Sequence, residues 1–428
     1  MKTLLKNARI IKMINEDIIF GSLVIEDDKI KYIGNDYEPF GPFDIVHDCQ
    51  NNVIMPGFKN AHSHSAMTFV RSKTDDQTLH DWLFDTIFPR EAKLQEEDVY
   101  HLAKGAYLEY LTSGITACFD QYYFPLMSAK AAKEMGMRIV LLGTYNENNN
   151  NVDDIVRLYH EFNDENGLVS YCLGIHAEYT ASEKELYWMK EAVHILKAPF
   201  YTHISETSDE VEECYRKRGM SPVAFLDSLG LFDYGGGGYH CCYFSDEDIE
   251  IFKKHHCSIV TCPGSNTKLA SGIAPINKYL ENDINVALGT DGPASNNCLD
   301  MFKEMTLVHS LQKVTLKDST VLPAFTVLKM ATVNGAKAMG LYDADVLDVN
   351  KKADLIEIDL SRPNMRPLNN IINNIVYSGS KDNIKMTMIN GKILYQDHKF
   401  YIDEDIEKIY EKMEEITLRI EKEYSDAR

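Results

Sequence analysis

Short apolar runs recur through the middle of the chain, and the stretches between them repeat their apolar positions with a helical period. Eight runs read as strands: Val53–Ala61, Gly114–Asp120, Arg138–Thr144, Ser170–His176, Pro199–His203, Gly238–Cys242, Ser258–Cys262 and Asn285–Thr290. Between them, Glu97–Thr112 carries Val99, Leu102, Ala103, Ala106, Tyr107 and Tyr110 at helical spacing. Asp246–His255 carries Ile249, Ile251 and Phe252 behind Ser245, a suitable N-cap. Strand and helix alternating eight times predicts an α/β fold: a distorted (β/α)8 TIM-like barrel over residues 56–345, rather than an open sheet.

The flanks follow a different rhythm. Residues 1–55 and 350–400 read as short strands separated by turns, with an Asn390–Gly391 hairpin signal in the second. Neither flank holds enough strands for a stable sheet of its own. Residues 1–55 and 346–428 are therefore expected to build one small β-sandwich domain from both termini. Its last segment, Asp405–Tyr424, lines up Ile406, Ile409, Met413, Ile416 and Ile420 as a docked amphipathic helix. The segment TFVRSKTDDQTLHDW, after the first barrel run, is a candidate lid.

Composition narrows the function. Asp and Glu outnumber Lys and Arg by 65 to 44, a formal charge of −21, which opposes a nucleic-acid surface. Lys6, Arg9 and Lys12 interrupt the first apolar segment, so no secretion signal is expected, and no run is long enough for a membrane helix. Nine scattered cysteines without a C-x-x-C pair read as reduced thiols of a cytoplasmic protein. Cys241 and Cys242 are assigned to packing.

Polar residues able to bind metal or move protons cluster at the ends of the runs. His62 and His64 end the first, His176 the fourth, His203 the fifth, His240 the sixth and Asp291 the eighth. Barrel active sites sit at the C-terminal ends of strands, so these residues converge on one rim. Residues two apart in a strand share a face, which lets His62 and His64 reach one ion. With His203 and Asp291 they form an N3O set for one divalent ion, for which Zn2+ is expected and Fe2+ or Mn2+ is compatible. The metal would acidify a coordinated water. Glu206, three residues past His203, is the general acid/base candidate. His240 either hydrogen-bonds the attacking water or stands by in a Gly-rich loop. The fourth run ends in LGIHAEY with no Lys to bridge two metals, which favours a single ion.

The segments NAHSHSAMTFVRS, DWLFDTIFPRE, GIHAEYTAS, HISET, GSNTKLASGIAPI and LGTDGPASNN, with the His240 run, resemble the amidohydrolase superfamily. Within it they are similar to the branch deaminating 5′-methylthioadenosine and S-adenosylhomocysteine. The likeness spans about residues 1–400. It implies the ligand set and the Glu206 and His240 roles already read, a small nucleoside substrate, and a homo-oligomer. It also implies that Glu91 binds ribose hydroxyls and that His176 contacts substrate. Trp82 is either a pocket wall or core. The implied reaction is hydrolytic deamination at C6 of an adenine nucleoside. The alternative is hydrolysis of another amino- or chloro-substituted N-heterocycle such as guanine, a pterin or a triazine, for which a ribose-binding Glu91 has no purpose. One departure stands out. Members accepting S-adenosylhomocysteine are expected to clamp its carboxylate with an arginine after the third strand. Here Gly143 occupies that place, the following residues contain no Arg, and Arg138 lies at the strand's start. Adenosine, 5′-deoxyadenosine and 5′-methylthioadenosine are the expected substrates.

Overall fold

The computed structural model describes residues 1–73, 75–143, 151–163 and 167–427. Eight parallel strands follow one another around a barrel: Phe58–Ser63, Ile115–Tyr122, Arg138–Gly143, Val169–Ala177, Phe200–Ile204, Gly236–His240, Ser258–Thr261 and Asn285–Leu288. Each pairs with the next in chain order, as strand–helix–strand crossovers produce. Helices such as Glu96–Thr112 and Asp246–Lys254, the latter capped by Ser245, cover the outside. The strands are thus buried on both faces, which is why they read as continuous apolar runs. Inside, Phe119, Leu142, Tyr201, Tyr239 and Val260 pack together with Ala338 and Met339. Tyr201 donates its hydroxyl proton to the Ala338 carbonyl at 2.6 Å. The barrel is therefore filled by side chains, and a cavity opens at its C-terminal rim.

Two runs differ from expectation. Val53–Ala61 is not one strand: Val53–Pro56 belongs to the terminal sheet, and the barrel begins at Phe58. The chain passes between the two at Gly57, where a Cβ would lie 2.1 Å from Thr116 Cγ2. The break leaves no trace in the pattern because both halves are fully buried. The sixth strand is Gly236–His240 rather than Gly238–Cys242, since glycines carry no pattern to mark its start. Cys241 and Cys242 lie buried just past its end. The end of the third run, Thr144, and the Asn-rich stretch to 150 lie outside the described residues.

Both termini contribute to one nine-stranded mixed sheet. Hydrogen bonds run continuously from Lys399–Phe400 through Leu355–Ile358, Val53–Pro56 and Lys2–Ile11 to Lys29–Gly34. Rather than two separate layers, the sheet curls back on itself: Ile30 N–H donates to Lys351 O at 2.9 Å and Ala353 N–H to Asp28 O at 2.8 Å. Leu5, Ile10, Leu23, Ile54, Leu355 and Met388 form its own core. Asn390 and Gly391 both adopt positive φ, the backbone a two-residue hairpin requires. No helix among the described residues is long and apolar enough to cross a membrane.

The C-terminal helix, Ile406–Asp426, starts at the Asp405 cap and buries Ile409, Ile416, Ile420 and Tyr424. It grips the short helix Phe88–Glu91, where Arg90 Nε donates to Glu421 Oε1 at 2.7 Å and the guanidinium lies 3.8 Å over the Tyr424 ring. Of the candidate lid, Thr68, Phe69 and Val70 are buried in a 3-10 turn, and the part from Trp82 onward forms a π-helical turn.

A buried ion pair joins barrel to terminal sheet. Arg138, at the start of the third strand, donates two hydrogen bonds to Asp354, at 2.5 and 3.1 Å, and Asp354 also accepts from Asn390 N–H. Burial opposes the charge on Asp354, but Arg138 outweighs it and holds the carboxyl below its usual range. Arg138 is thus committed to the far end of its strand from the rim. Replacing Asp354 by Ala leaves a buried cation unpaired and is expected to cost about 3–5 kcal/mol in urea unfolding at pH 7. A depressed carboxyl stabilises above the unfolded-state value of about 3.9 and loses that contribution as pH falls through the folded-state value. The gap between variant and wild type should therefore narrow below about pH 4.

Candidate active site

Four donors converge at the rim. His62 is the penultimate residue of the first strand, and His64 follows the strand's end. His203 lies near the end of the fifth strand, and Asp291 just past the eighth. One donor atom from each lies within 4.8 Å of all the others. The chain itself draws the outermost two together, because Asp291 N–H donates to His62 O at 3.0 Å.

Hydrogen bonds to the other ring nitrogens set the tautomers. His64 Nδ1 lies 2.7 Å from Gln121 O, and His203 Nδ1 lies 2.7 Å from His176 O. A carbonyl only accepts, so each Nδ1 carries a proton, and in the neutral ring each Nε2 presents a lone pair. Burial opposes charge on His64, but Asp291 and the Gln121 carbonyl outweigh it and raise its pKa. Neither nitrogen of the buried His62 has a hydrogen-bond partner among the described residues. Burial pushes His62 down to about 3 and His203 down as well, keeping both rings neutral. Asp291 stays anionic: burial opposes this, but His62 and His64 outweigh it. Its oxygens are oriented by Ser265 Oγ at 2.6 Å and Gly292 N–H at 2.7 Å. His62 Nε2 and His64 Nε2 lie 3.5 and 3.3 Å from Asp291 Oδ1. Neutral imidazole lone pairs and a carboxylate facing one point fit a divalent cation with bonds of about 2.0–2.2 Å.

Glu206 stands beside this cluster. Its Oε1 accepts from Ser271 Oγ at 2.8 Å, and its Oε2 lies 3.8 Å from His240 Nε2. His240 Nδ1 meets Asn266 Oδ1 at 2.7 Å, so its Nε2 is left facing Glu206. Buried Glu210 accepts from the backbone N–H of both Ser205 and Glu206, fixing the turn that presents Glu206.

A cavity of about 760 Å³ opens over these groups. Glu91, His176 and Trp82 all line it. Glu91 accepts from Tyr122 OH at 2.7 Å, and burial pushes its carboxyl up to about 7. His176 Nδ1 pairs with Thr180 Oγ1 at 2.9 Å. Trp82 satisfies both expectations, since it lines the cavity and is also part of an apolar cluster with Leu83 and Ile87. The described residues lining the cavity include no Lys or Arg, but four carboxylates: Glu91, Glu185, Glu206 and Asp291. Of the candidate residues, all but His62 line this cavity, and His62 is fully buried behind His64, His203 and Asp291. Ser265, Asn266, Ser271 and Glu210 went unnoticed in the sequence. The first three lie inside GSNTKLASGIAPI, yet nothing in their spacing marks them as orienting groups.

A model of the amidohydrolase family matches residues 53–394. The 5-methylthioadenosine/S-adenosylhomocysteine deaminase of Thermoanaerobacter pseudethanolicus is 39% identical over 420 residues, covering 96% of this chain and 97% of that one. The 5'-deoxyadenosine deaminase of Methanosarcina acetivorans is 38% identical over 419 residues, covering 95% and 96%. An adenosine deaminase from Xanthomonas campestris, solved with bound zinc, superposes with a TM-score of 0.91 at 28% identity over 98% of both chains.

Asp291→Ala should lower the divalent metal content of the purified protein by one ion per chain, measured by plasma mass spectrometry. Glu206→Gln should leave it unchanged. Chelation should lower the melting temperature, since an ion at a hundred times its Kd stabilises by about 2.7 kcal/mol.

Proposed function

The chain belongs to the amidohydrolase family, and we propose that it is a metal-dependent deaminase of adenine nucleosides with neutral 5′ groups. The observation that carries this reading is a buried carboxylate, Glu206, standing with His240 beside the four-donor cluster at the floor of one cavity. The names of the two relatives support an adenine nucleoside as substrate.

His62, His64, His203 and Asp291 would hold one ion, proposed as Zn2+ on the N3O donor set. When bound, such an ion supplies Lewis acidity that lowers the pKa of water from about 15.7 toward 7. The chain's own groups do the rest. Glu206 takes a proton from the attacking water on its free carboxylate oxygen and delivers it to ring N1. Asp291 and His240 orient the water against C6. A C–O bond forms as the C6–N bond breaks. The second water proton passes to the departing amine, so the products are the 6-oxo purine and ammonia. Glu91 accepts hydrogen bonds from the ribose hydroxyls, and His176 contacts the sugar and base. The cavity's carboxylates, unopposed by any described Lys or Arg, disfavour the carboxylate of S-adenosylhomocysteine. Nine free cysteines support a reducing, cytoplasmic setting.

Ammonia release should be measured on adenosine, 5′-deoxyadenosine, 5′-methylthioadenosine, S-adenosylhomocysteine, adenine and guanine. The three neutral nucleosides should turn over, with S-adenosylhomocysteine much poorer. Turnover of guanine alone would overturn the reading. Glu206→Gln should lose about 10²- to 10⁴-fold in kcat with its metal retained. Glu91→Ala should lower kcat/KM for 5′-deoxyadenosine about 10- to 100-fold, the roughly 1.5–3 kcal/mol of a hydrogen bond to a charged acceptor.

A further inference from the structure

A second group of donors lies on the opposite face of the barrel, at the N-terminal ends of the strands. Three consecutive strand–helix units supply it. His194 comes from the helix Glu183–Leu196 that leads into the fifth strand. Asp227 is the penultimate residue of the helix Pro222–Ser228, and Asp233 lies in the turn that leads into the sixth strand. His255 caps the helix Asp246–Lys254 ahead of the seventh. Donor atoms of Asp227, Asp233 and His255 lie within 4.8 Å of one another.

Each of the two imidazoles turns a ring nitrogen toward a carboxylate oxygen of the group. His194 Nδ1 lies 2.8 Å from the Lys190 carbonyl, which only accepts, so the proton of a neutral ring is spent there. Its Nε2 lies 3.3 Å from Asp233 Oδ2, where a neutral ring offers a lone pair and a protonated one a hydrogen bond. His255 is about nine-tenths buried, and its Nε2 comes within 2.8 Å of Asp227 Oδ1 without the alignment of a hydrogen bond. A buried nitrogen without a hydrogen-bond partner is destabilising unless something else satisfies it. The chain conformation favours this approach. Gly230 has φ +76, and a Cβ there would come within 3.0 Å of both Asp233 Oδ2 and His194 Cε1.

We propose that His255, Asp227 and Asp233, with His194 beside them, form a second divalent-metal site that ties together the undersides of three neighbouring units. The donor set is mixed nitrogen and oxygen, as Zn2+ and its first-row neighbours prefer. A nitrogen and an oxygen 2.8 Å apart suit adjacent positions around one ion with bonds near 2.1 Å. The chain's charge of −21 favours a cation on its surface, and His194, 3.3 Å from Asp233, adds a second imidazole beside the three converging donors. Asp233 is half-exposed, which leaves the ion a route in from solvent.

The site is separable from catalysis. Full-length protein loaded with Zn2+ and passed through a desalting column should retain two ions per chain. Asp233→Ala should retain one, with kcat/KM unchanged, because Asp233 lies across the barrel from the cavity. Asp291→Ala should also retain one, without activity, and the double variant none. Substituting Co2+ should give visible absorption from two environments, one of which disappears in Asp233→Ala. Asp233 is exposed enough for the variant to fold, and His194→Ala provides a second test on an exposed residue. The competing arrangement is two imidazolium–carboxylate ion pairs. It predicts one ion per chain in the wild type and no loss on Asp233→Ala, and a wild type holding one ion, or an Asp233→Ala variant that keeps as many ions as the wild type, overturns the proposal. So does a second ion that binds but is lost on desalting.

Discussion

The site depends on the seam where the barrel closes. The first and eighth strands share no ladder among their described pairings. They are joined by the Asp291 N–H bond to His62 O, and by Asn60, which donates to Thr290 Oγ1 at 2.7 Å and accepts from its N–H at 2.8 Å. Gly289 permits this approach, since a Cβ there would lie 2.8 Å from the His62 Cβ. The same bond that completes the cylinder sets the separation of two of the four donors. Closing the fold and assembling the site are therefore one event, and an ion drawn to the donors reinforces the closure.

Assembly also has an electrostatic and a conformational cost. Three imidazoles and a carboxylate are crowded at one buried point, where burial works against charge on His62, His203 and Asp291. Ser205, His240 and Asp291 all sit at strand ends with positive φ, an arrangement that costs side-chain-bearing residues about 1–2 kcal/mol each. The surroundings hold them there. Glu210 ties down the turn at Ser205 and Glu206, Asn266 holds His240, and Ser265 holds Asp291. The strain is spent on turning side chains from the strand direction toward the cavity.

This division explains what could be read from the chain. Donor residues announce themselves because His and Asp at the ends of apolar runs are chemically conspicuous, and parallel strands place all their ends on one rim. The barrel, the Asn390–Gly391 hairpin and the Ser245 cap follow from equally local signals. Orienting residues such as Ser265 and Asn266 are invisible, since serine and asparagine are common and their meaning lies in partners 26 residues away. The passage at Gly57 is hidden for a different reason. Two buried strands from different sheets abut without a polar residue between them, and only the third dimension separates them. Arg138 was legible by position: at the wrong end of its strand to meet substrate, it could only be structural, and Asp354 is its reason.

The C-terminal helix gives the molecule a built-in order of completion. Every metal donor lies before residue 292, but Glu91 belongs to a short helix held by Glu421 and Tyr424 from the last turns of the chain. A polypeptide still emerging from the ribosome can gather its ligands long before that wall of its pocket is braced. Metal capture and substrate recognition are thus separated in time by the length of more than one hundred residues of synthesis. On the proposed reading, a chain cut short near its end would keep its donor cluster and lose the brace behind Glu91.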